Sequence, residues 1–258
     1  MHLRSLGLAT DLELARTRGQ VIDRDGYLVV RTPDDPTYYY GNLLVLPAAP
    51  QVGEVAYWTR KFASELGGDP AIRHIALRWD GIHGDTGAID ELSAAGFTVE
   101  VTEVMTATAI SAPAVDVEIR PLHASELPTT AELEYAIGDV HTDSYRRFFH
   151  RRAAWKQTLV TAGLATFWGA FDGATLVASL GLVPLGPRAR YQDVQTAVAY
   201  RKRGIASALL AAAARAVTTS ELVIVAEPDS AAARVYERVG FRPIERVASA
   251  CRYPTASE

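Results

Sequence analysis

The sequence predicts a mixed α/β protein of the α+β kind, in which a largely antiparallel sheet also carries a strand–helix–strand crossover. Three features carry this reading. In the second half, "LATFWGAFDG" and "TLVASLGLVPLG" read as two strands turning at Asp172-Gly173, and "ARYQDVQTAV" follows as a third. A helix from Gly204 to Val217 then leads into the apolar strand "ELVIVAE". Ala112, Pro113 and Ala114 interrupt two strand-like segments, and small residues with Pro suit a short connection, so the chain divides into residues 1–112 and 113–258.

The bulk properties admit this organisation. With 258 residues, 48% of them hydrophobic, the chain can bury a substantial core and fill two modest domains. The formal charge of -4 gives no overall attraction to nucleic acid or an anionic membrane. A lone cysteine, Cys251, excludes an internal disulfide framework and is expected to be a buried spectator. No run approaches the roughly 18 apolar residues of a membrane span, and the first twenty residues lack a long apolar core. A soluble cytoplasmic protein without nucleic-acid or membrane partners is expected.

In chain order, the first half reads as the strands "GYLVVRT" and "YYYGNLLVLP", a helix around Val55 to Leu66 and the strand "IRHIALRWD". A helix near Ala88 to Ala95, the pair Gly96-Phe97 and two strands complete it. The second half opens with a strand at Val115 to Arg120 and two helices, around Thr130 to Ile137 and Ser144 to Ala162. In the latter, aromatics fall mainly on one face, while Arg146, Arg147, His150, Arg151 and Lys156 read as a solvated face rather than a nucleic-acid patch. The chain ends with a helix from about Ser230 to Val239, a Gly240-Phe241 corner and a final strand pair.

Between the third strand and its helix stands Arg201-Lys202-Arg203-Gly204-Ile205-Ala206. A helix starting at about Arg203 exposes unpaired N–H groups, and its dipole adds partial positive charge. Gly204 lets an oxygen approach the backbone, Ala206 keeps the next inward position small, and the basic side chains add full charges. These six residues alone fit either an anion site or an ordinary basic helix start.

The junction and its preceding strand resemble the acetyl-CoA-binding motif of the GCN5-related N-acetyltransferase (GNAT) superfamily, Arg/Gln-x-x-Gly-x-Gly/Ala. Further on, "EPDSAAARVYERVGFRPIE" resembles that family's later motif, a Tyr four residues before a Gly-Phe corner: Tyr236, then Gly240-Phe241. The resemblance covers roughly Val115 to Pro254. It implies a GNAT acyl-CoA N-acyltransferase fold there, with acetyl-CoA as cosubstrate and no metal. It also implies the CoA pyrophosphate on Lys202 to Ser207, beside Arg201, and the pantetheine arm along the main chain of Val194, Gln195 and Thr196. Tyr236 takes the role of protonating the departing thiolate; its alternative is packing against the corner with the hydroxyl satisfied locally.

Two positions depart from the family pattern. Asp229 stands where many members have a cofactor-contacting Asn, and serves either that contact or an N-cap. Thr196-Ala197-Val198 replaces the commoner Val-x-Pro. On the acceptor side, an amine must lose a proton to attack. Asp193 matches a position that is acidic in polyamine-acetylating relatives and is expected to orient the amine, or else to be a solvent-facing or Arg-paired strand residue; Glu227 is a weaker candidate. The acceptor implied is a small-molecule or peptide amine, and the expected state is monomer or homodimer. The rival reading is a non-catalytic acyl-CoA-binding or regulatory module.

The helix, Gly-Phe and strand series recurs 144 residues apart, at Gly96-Phe97 and Gly240-Phe241, which suggests an internal duplication. In the first copy Leu92 takes the place of Tyr236, and "PAAPQVGEV" offers Glu54 and no arginine where the phosphate turn would lie. A degenerate GNAT-like lobe that shapes the active one's cleft is expected, against an unrelated α/β lobe. Other site types lack residues: His2, His74, His83, His123, His141 and His150 never fall three or four apart, "DRDG" lacks the later calcium ligands, and there is no Gly-x-Ser-x-Gly elbow.

Overall fold

The computed structural model describes residues 1–254. It separates into two compact units: Met1–Val104 together with the segment from Ile244 onward, and Met105–Pro243. The chain crosses between them inside one strand and returns at the start of its last. The expected division at residue 112 is therefore corrected. Residues 105–112 belong with the second unit, and the final segment belongs with the first because it is hydrogen-bonded there.

The first unit begins with α1 (Leu6–Arg16) and β1 (Gln20–Arg24), two elements the sequence pattern did not reveal. Helix α1 is short and held from outside: Ser5 caps it, accepting from the Leu8 N–H at 3.1 Å, and the Glu245 carboxylate accepts from the Leu6 N–H at 2.9 Å. Strands β1 and β2 (Tyr27–Arg31) form a hairpin whose turn contains Gly26, so "DRDG" is a turn as expected. Then come β3 (Leu43–Leu46), α2 (Val55–Leu66), β4 (Ile75–Trp79), α3 (Ile89–Ala94) and β5 (Thr98–Ala107). Val55, Phe62 and Leu66 bury one face of α2 against Leu44, Leu77 and Trp79. The two strands expected after Gly96-Phe97 are one long strand, β5.

The second unit runs β6 (Glu118–Pro121), α4 (Pro128–Ile137), α5 (Asp143–Thr161), β7 (Thr166–Asp172), β8 (Thr175–Leu185), β9 (Arg188–Thr196), α6 (Ile205–Arg215), β10 (Glu221–Ala226) and α7 (Ala231–Val239). Its strand order is β5-β10-β9-β8-β7-β6, with β6 to β9 antiparallel and β9 parallel to β10 across α6. Phe241, 0% exposed, anchors a core shared by Leu209, Leu210, Ile224 and Tyr236. Gly240 is required at that corner: its φ is +124°, and a Cβ would meet the Ala109 carbonyl oxygen at 3.0 Å.

The final strand pair is likewise one strand, β11 (Arg242–Arg252). In the first unit, whose order is β1-β2-β3-β4-β11-β5, β11 pairs antiparallel with β4 through Ser249↔Arg78 to Arg252↔Ile75. Cys251 is buried there, as expected, its thiol pushed up to about 12 by burial. The suggested duplication is visible in element order: β1-β2-β3-α2-β4-α3-β5 is followed by β7-β8-β9-α6-β10-α7-β11. Among the described residues no helix is long and apolar enough to cross a membrane.

Ending the chain after Pro243 would take β11 from between β4 and β5. Peptide-level hydrogen exchange is expected to show β3 and β4 losing most of their protection; protection at the full-length level would contradict this placement.

Candidate active site

Strand β9 organises the site because it serves two neighbours over different lengths. It pairs with β8 from Leu185↔Arg188 to Ala178↔Thr196. With β10 it registers only at Arg188, Ala189 and Arg190. From Tyr191 onward β9 therefore diverges from β10, and the main chain of Val194, Gln195 and Thr196 lies along the open side. Tyr191 pins the point of divergence, donating its buried hydroxyl to the Leu210 carbonyl of α6 at 2.8 Å.

The divergence coincides with a bulge. Ser179 pairs with Gln195 and Gly181 with Gln192, so Asp193 and Val194 together oppose Leu180. Asp193 has φ +50°, in the left-handed region, and its side chain and that of Gln195 turn to the α4 and α5 side. Val194 instead packs on the core formed with α6 and α7.

After a short 3-10 turn (Val198–Tyr200) the chain reaches the basic junction. Helix α6 begins at Ile205, two residues later than expected, because Gly204 is its N-cap at φ +78°. Lys202 is also left-handed, at φ +62°. Left-handed residues alternating along Lys202-Arg203-Gly204 turn successive N–H groups to one side, the geometry of an anion nest. No side chain caps α6, so its first-turn N–H groups join that concavity. A Cβ on Gly204 would meet only Val115 Cγ1 at 3.5 Å, so glycine is needed here for its φ, not for space. Arg201, Lys202 and Arg203 are exposed; Arg201 Nε donates to the Thr196 carbonyl at 3.3 Å, and the Arg203 guanidinium stacks on Tyr200 at 4.9 Å.

Helix α7 supplies Tyr236, 5% exposed, its ring edge-on to Phe241 at 6.2 Å. Tyr236, Ile205 and Val194 meet in one apolar cluster. The Tyr236 hydroxyl has no hydrogen-bond partner among the described residues, so local satisfaction at the corner is not what holds it. Burial pushes its pKa up to about 12, so the phenol keeps its proton through the neutral range. Asp229 does not cap α7. Ser230 does, accepting from the Ala233 N–H at 3.0 Å, while Asp229 is exposed at φ +57°.

On the acceptor side, Asp193 follows the Arg-paired alternative rather than the amine-orienting one. The Asp193 carboxylate is already paired with the Arg152 guanidinium, and Lys156 Nζ lies 2.9 Å from its other oxygen. Burial alone would raise its pKa, but these two cations together outweigh burial and hold it well below the usual carboxylate range. A carboxylate so paired is a weak base and is not free to orient an amine, and Glu227 is exposed beyond the end of β10. Lys156 is not on the solvated face either: it is 1% exposed and also paired with Glu134 of α4. Glu134 and Arg152 escaped the sequence reading, although Phe149, Ala153 and Lys156 fall at i, i+4 and i+7, which turns the lysine inward. The exposed basic face is partly neutralised, since Arg146 and His150 each reach the Glu132 carboxylate at 2.7 Å.

The first unit presents the same turn in another state. Strands β3 and β4 pair to the end of β3, at Leu46↔Trp79, so no divergence opens. The turn before α2 is filled from within, its Gln51 N–H donating to Glu54 at 2.9 Å and its Gly53 N–H to Glu91 at 2.6 Å. Leu92, at the place of Tyr236, is fully buried.

Residues 163–243 match the model of the acetyltransferase (GNAT) domain family. No curated protein matches the chain in sequence. Among solved structures, a functionally unknown conserved protein from Staphylococcus epidermidis is similar at TM-score 0.75 and 14% identity, with 91% of this chain and 94% of that one covered. A GCN5-related N-acetyltransferase from Kribbella flavida is similar at TM-score 0.66 and 12% identity, over 98% of this chain and 96% of that one. A tandem GNAT protein from the clavulanic acid biosynthesis pathway gives TM-score 0.53 at 13% identity, over 78% of this chain and 70% of that one. At these identities the structures speak to fold, and the domain match speaks to family. What the comparisons identify is therefore an acetyltransferase (GNAT) domain match confined to residues 163–243, within the second unit.

Proposed function

We propose that the protein is an acetyl-CoA-dependent N-acetyltransferase acting by direct transfer to a primary amine, with the second unit catalytic. The observation that carries this reading is the divergence of β9 from β10, ending at an uncapped, basic, left-handed turn. Acetyl-CoA would supply the activated thioester carbonyl. The N–H groups of Arg203 to Ser207 receive its pyrophosphate, with Arg201, Lys202 and Arg203 adding charge. The main chain of Val194, Gln195 and Thr196 receives the pantetheine amides as an added strand would.

Tyr236 donates its phenolic proton to the thiolate as the carbon–sulfur bond breaks, and the amine's nitrogen forms the new bond to the acyl carbon. The amine's surplus proton leaves to solvent, and a proton taken up from solvent restores the Tyr236 phenol. Asp229, exposed and relieved of capping by Ser230, remains a cofactor-contact candidate. The first unit, with its turn occupied by Glu54 and Glu91, is assigned no acyl-CoA site.

Calorimetric titration with acetyl-CoA tests this directly: about one site per chain is expected, and none in Gly204→Glu, which places a negative charge at the N-terminus of α6. A wild type that fails to bind would remove the reading. With an accepted amine in hand, Tyr236→Phe should lower kcat by about 10²-fold, the lower range for a general acid, and leave acetyl-CoA affinity unchanged. Binding without turnover for every amine in a broad panel would point to an acyl-CoA-binding module instead.

The Tyr236 pKa also fixes a pH behaviour. Its unfolded phenol ionises near about 10, whereas burial raises the folded value to about 12. The group's stabilising contribution is therefore complete below about 10 and lost as pH rises through about 12. Thermal melts between those values should fall more steeply for the wild type than for Tyr236→Phe. Equal slopes would show that the ring is not buried as described.

A further inference from the structure

Strand β9 holds a residue in a conformation that its own backbone disfavours. Asp193, with φ +50°, is a non-glycine residue in the left-handed region, and such residues persist where their surroundings over-determine them. Those surroundings are three charges and an amide. Asp193 is gripped by Arg152 and Lys156, both from α5, with Lys156 Nζ 2.9 Å from its carboxylate. Lys156 is also paired with Glu134 of α4, which lies 3.5 Å from Arg152. The Gln195 side-chain amide donates to Glu134 at 3.4 Å and to the Ser179 hydroxyl of β8 at 2.9 Å. Each acid thus meets both cations, and the cluster grips β9 on both sides of Val194.

A buried ion cluster is weak evidence for stability, because apolar side chains of similar volume often serve as well. What apolar packing would not supply here is a pull on one backbone position. If Asp193 relaxed to extended geometry, the bulge would close. Beyond it every side chain would change face, putting Val194 toward α4 and α5 and Gln195 toward the apolar core. The open stretch of β9 depends on that not happening.

We propose that Glu134, Lys156, Arg152 and Asp193 form a lock that holds the β9 bulge left-handed, and are positioning residues for the strand segment Val194 to Thr196 that receives the acyl-CoA arm. The ligand's identity rests on the acetyltransferase reading; the lock itself does not. In this account the Asp193 carboxylate acts on the backbone beneath it and takes no part in proton transfer.

The test compares Asp193→Ala with Asp193→Gly. Both remove the same carboxylate and leave Arg152 and Lys156 paired with Glu134, but glycine adopts φ +50° without strain. Acetyl-CoA titration should show Asp193→Ala weakened by on the order of tenfold, with Asp193→Gly recovering most of the loss. Equal affinities for the two variants would overturn the lock, because a merely stabilising cluster would not distinguish them. Hydrogen exchange on Lys156→Met provides a readout that needs no ligand. The Val194 to Thr196 amides should change protection while the β7–β8 hairpin keeps its own, and wild-type exchange at Val194 to Thr196 would refute the proposal. A wild type that binds no acetyl-CoA would defeat the acetyltransferase reading and leave the exchange result to decide the lock.

Discussion

The second unit depends on a choice made by β9: it keeps β8 as a hydrogen-bonded neighbour along its whole length and gives up β10 after Arg190. Backbone groups removed from a sheet and buried are costly unless something else pairs them. A strand that diverges in the middle of a sheet is therefore either covered by another segment or presented to a ligand with main-chain groups of its own. The Tyr191 hydroxyl on the Leu210 carbonyl holds the root of the divergence, and the Asp193 bulge sets its direction. Helix α6 starts where the open segment ends, so its unpaired N–H groups continue the line of hydrogen-bonding groups from β9. Strand, turn and helix N-terminus make one polar track that runs from the half-buried end of β9 to the exposed turn before α6.

The two units show what the track requires by differing in it. Their element series correspond, and each contains a parallel strand pair bridged by a helix: β3–α2–β4 in one, β9–α6–β10 in the other. In the first, the parallel pair is closed to its end and carboxylates of Glu54 and Glu91 accept from N–H groups of the turn. In the second, the pair is open, the turn carries Arg201, Lys202 and Arg203, and no side chain caps the helix. A few residues in one turn and one strand separate a turn satisfied by its own carboxylates from one whose helix start is left uncapped.

The elements of the candidate site are legible in the sequence where their pattern is local. A basic turn with Gly204 before an alanine-rich helix, and Tyr236 four residues before Gly240-Phe241, depend on short spacings that survive without knowledge of packing. Helix bounds such as Val55–Leu66 were equally clear, because apolar residues recur along one face. What stayed hidden depends on long-range partners. Lys156 reads as a surface charge until Glu134 and Asp193 are brought to it from α4 and β9. Asp193 reads as either an amine-orienting acid or an Arg-paired strand residue, and only Arg152 and Lys156, brought from α5, decide between them. Helix α1 is held largely by Glu245, some 240 residues away in sequence, and no local pattern records that. The last strand reads as a pair because its length is unusual, and nothing within "RPIERVASACR" says that it hydrogen-bonds to β4.

Backbone amide NMR on the isotopically labelled protein, with and without acetyl-CoA, addresses the central claim residue by residue. The largest shift changes are expected on Val194 to Thr196 and on Arg203 to Ser207, with Gln51 to Val55 of the first unit unmoved. Shifts centred on the first unit's turn, or none along β9, would contradict that claim.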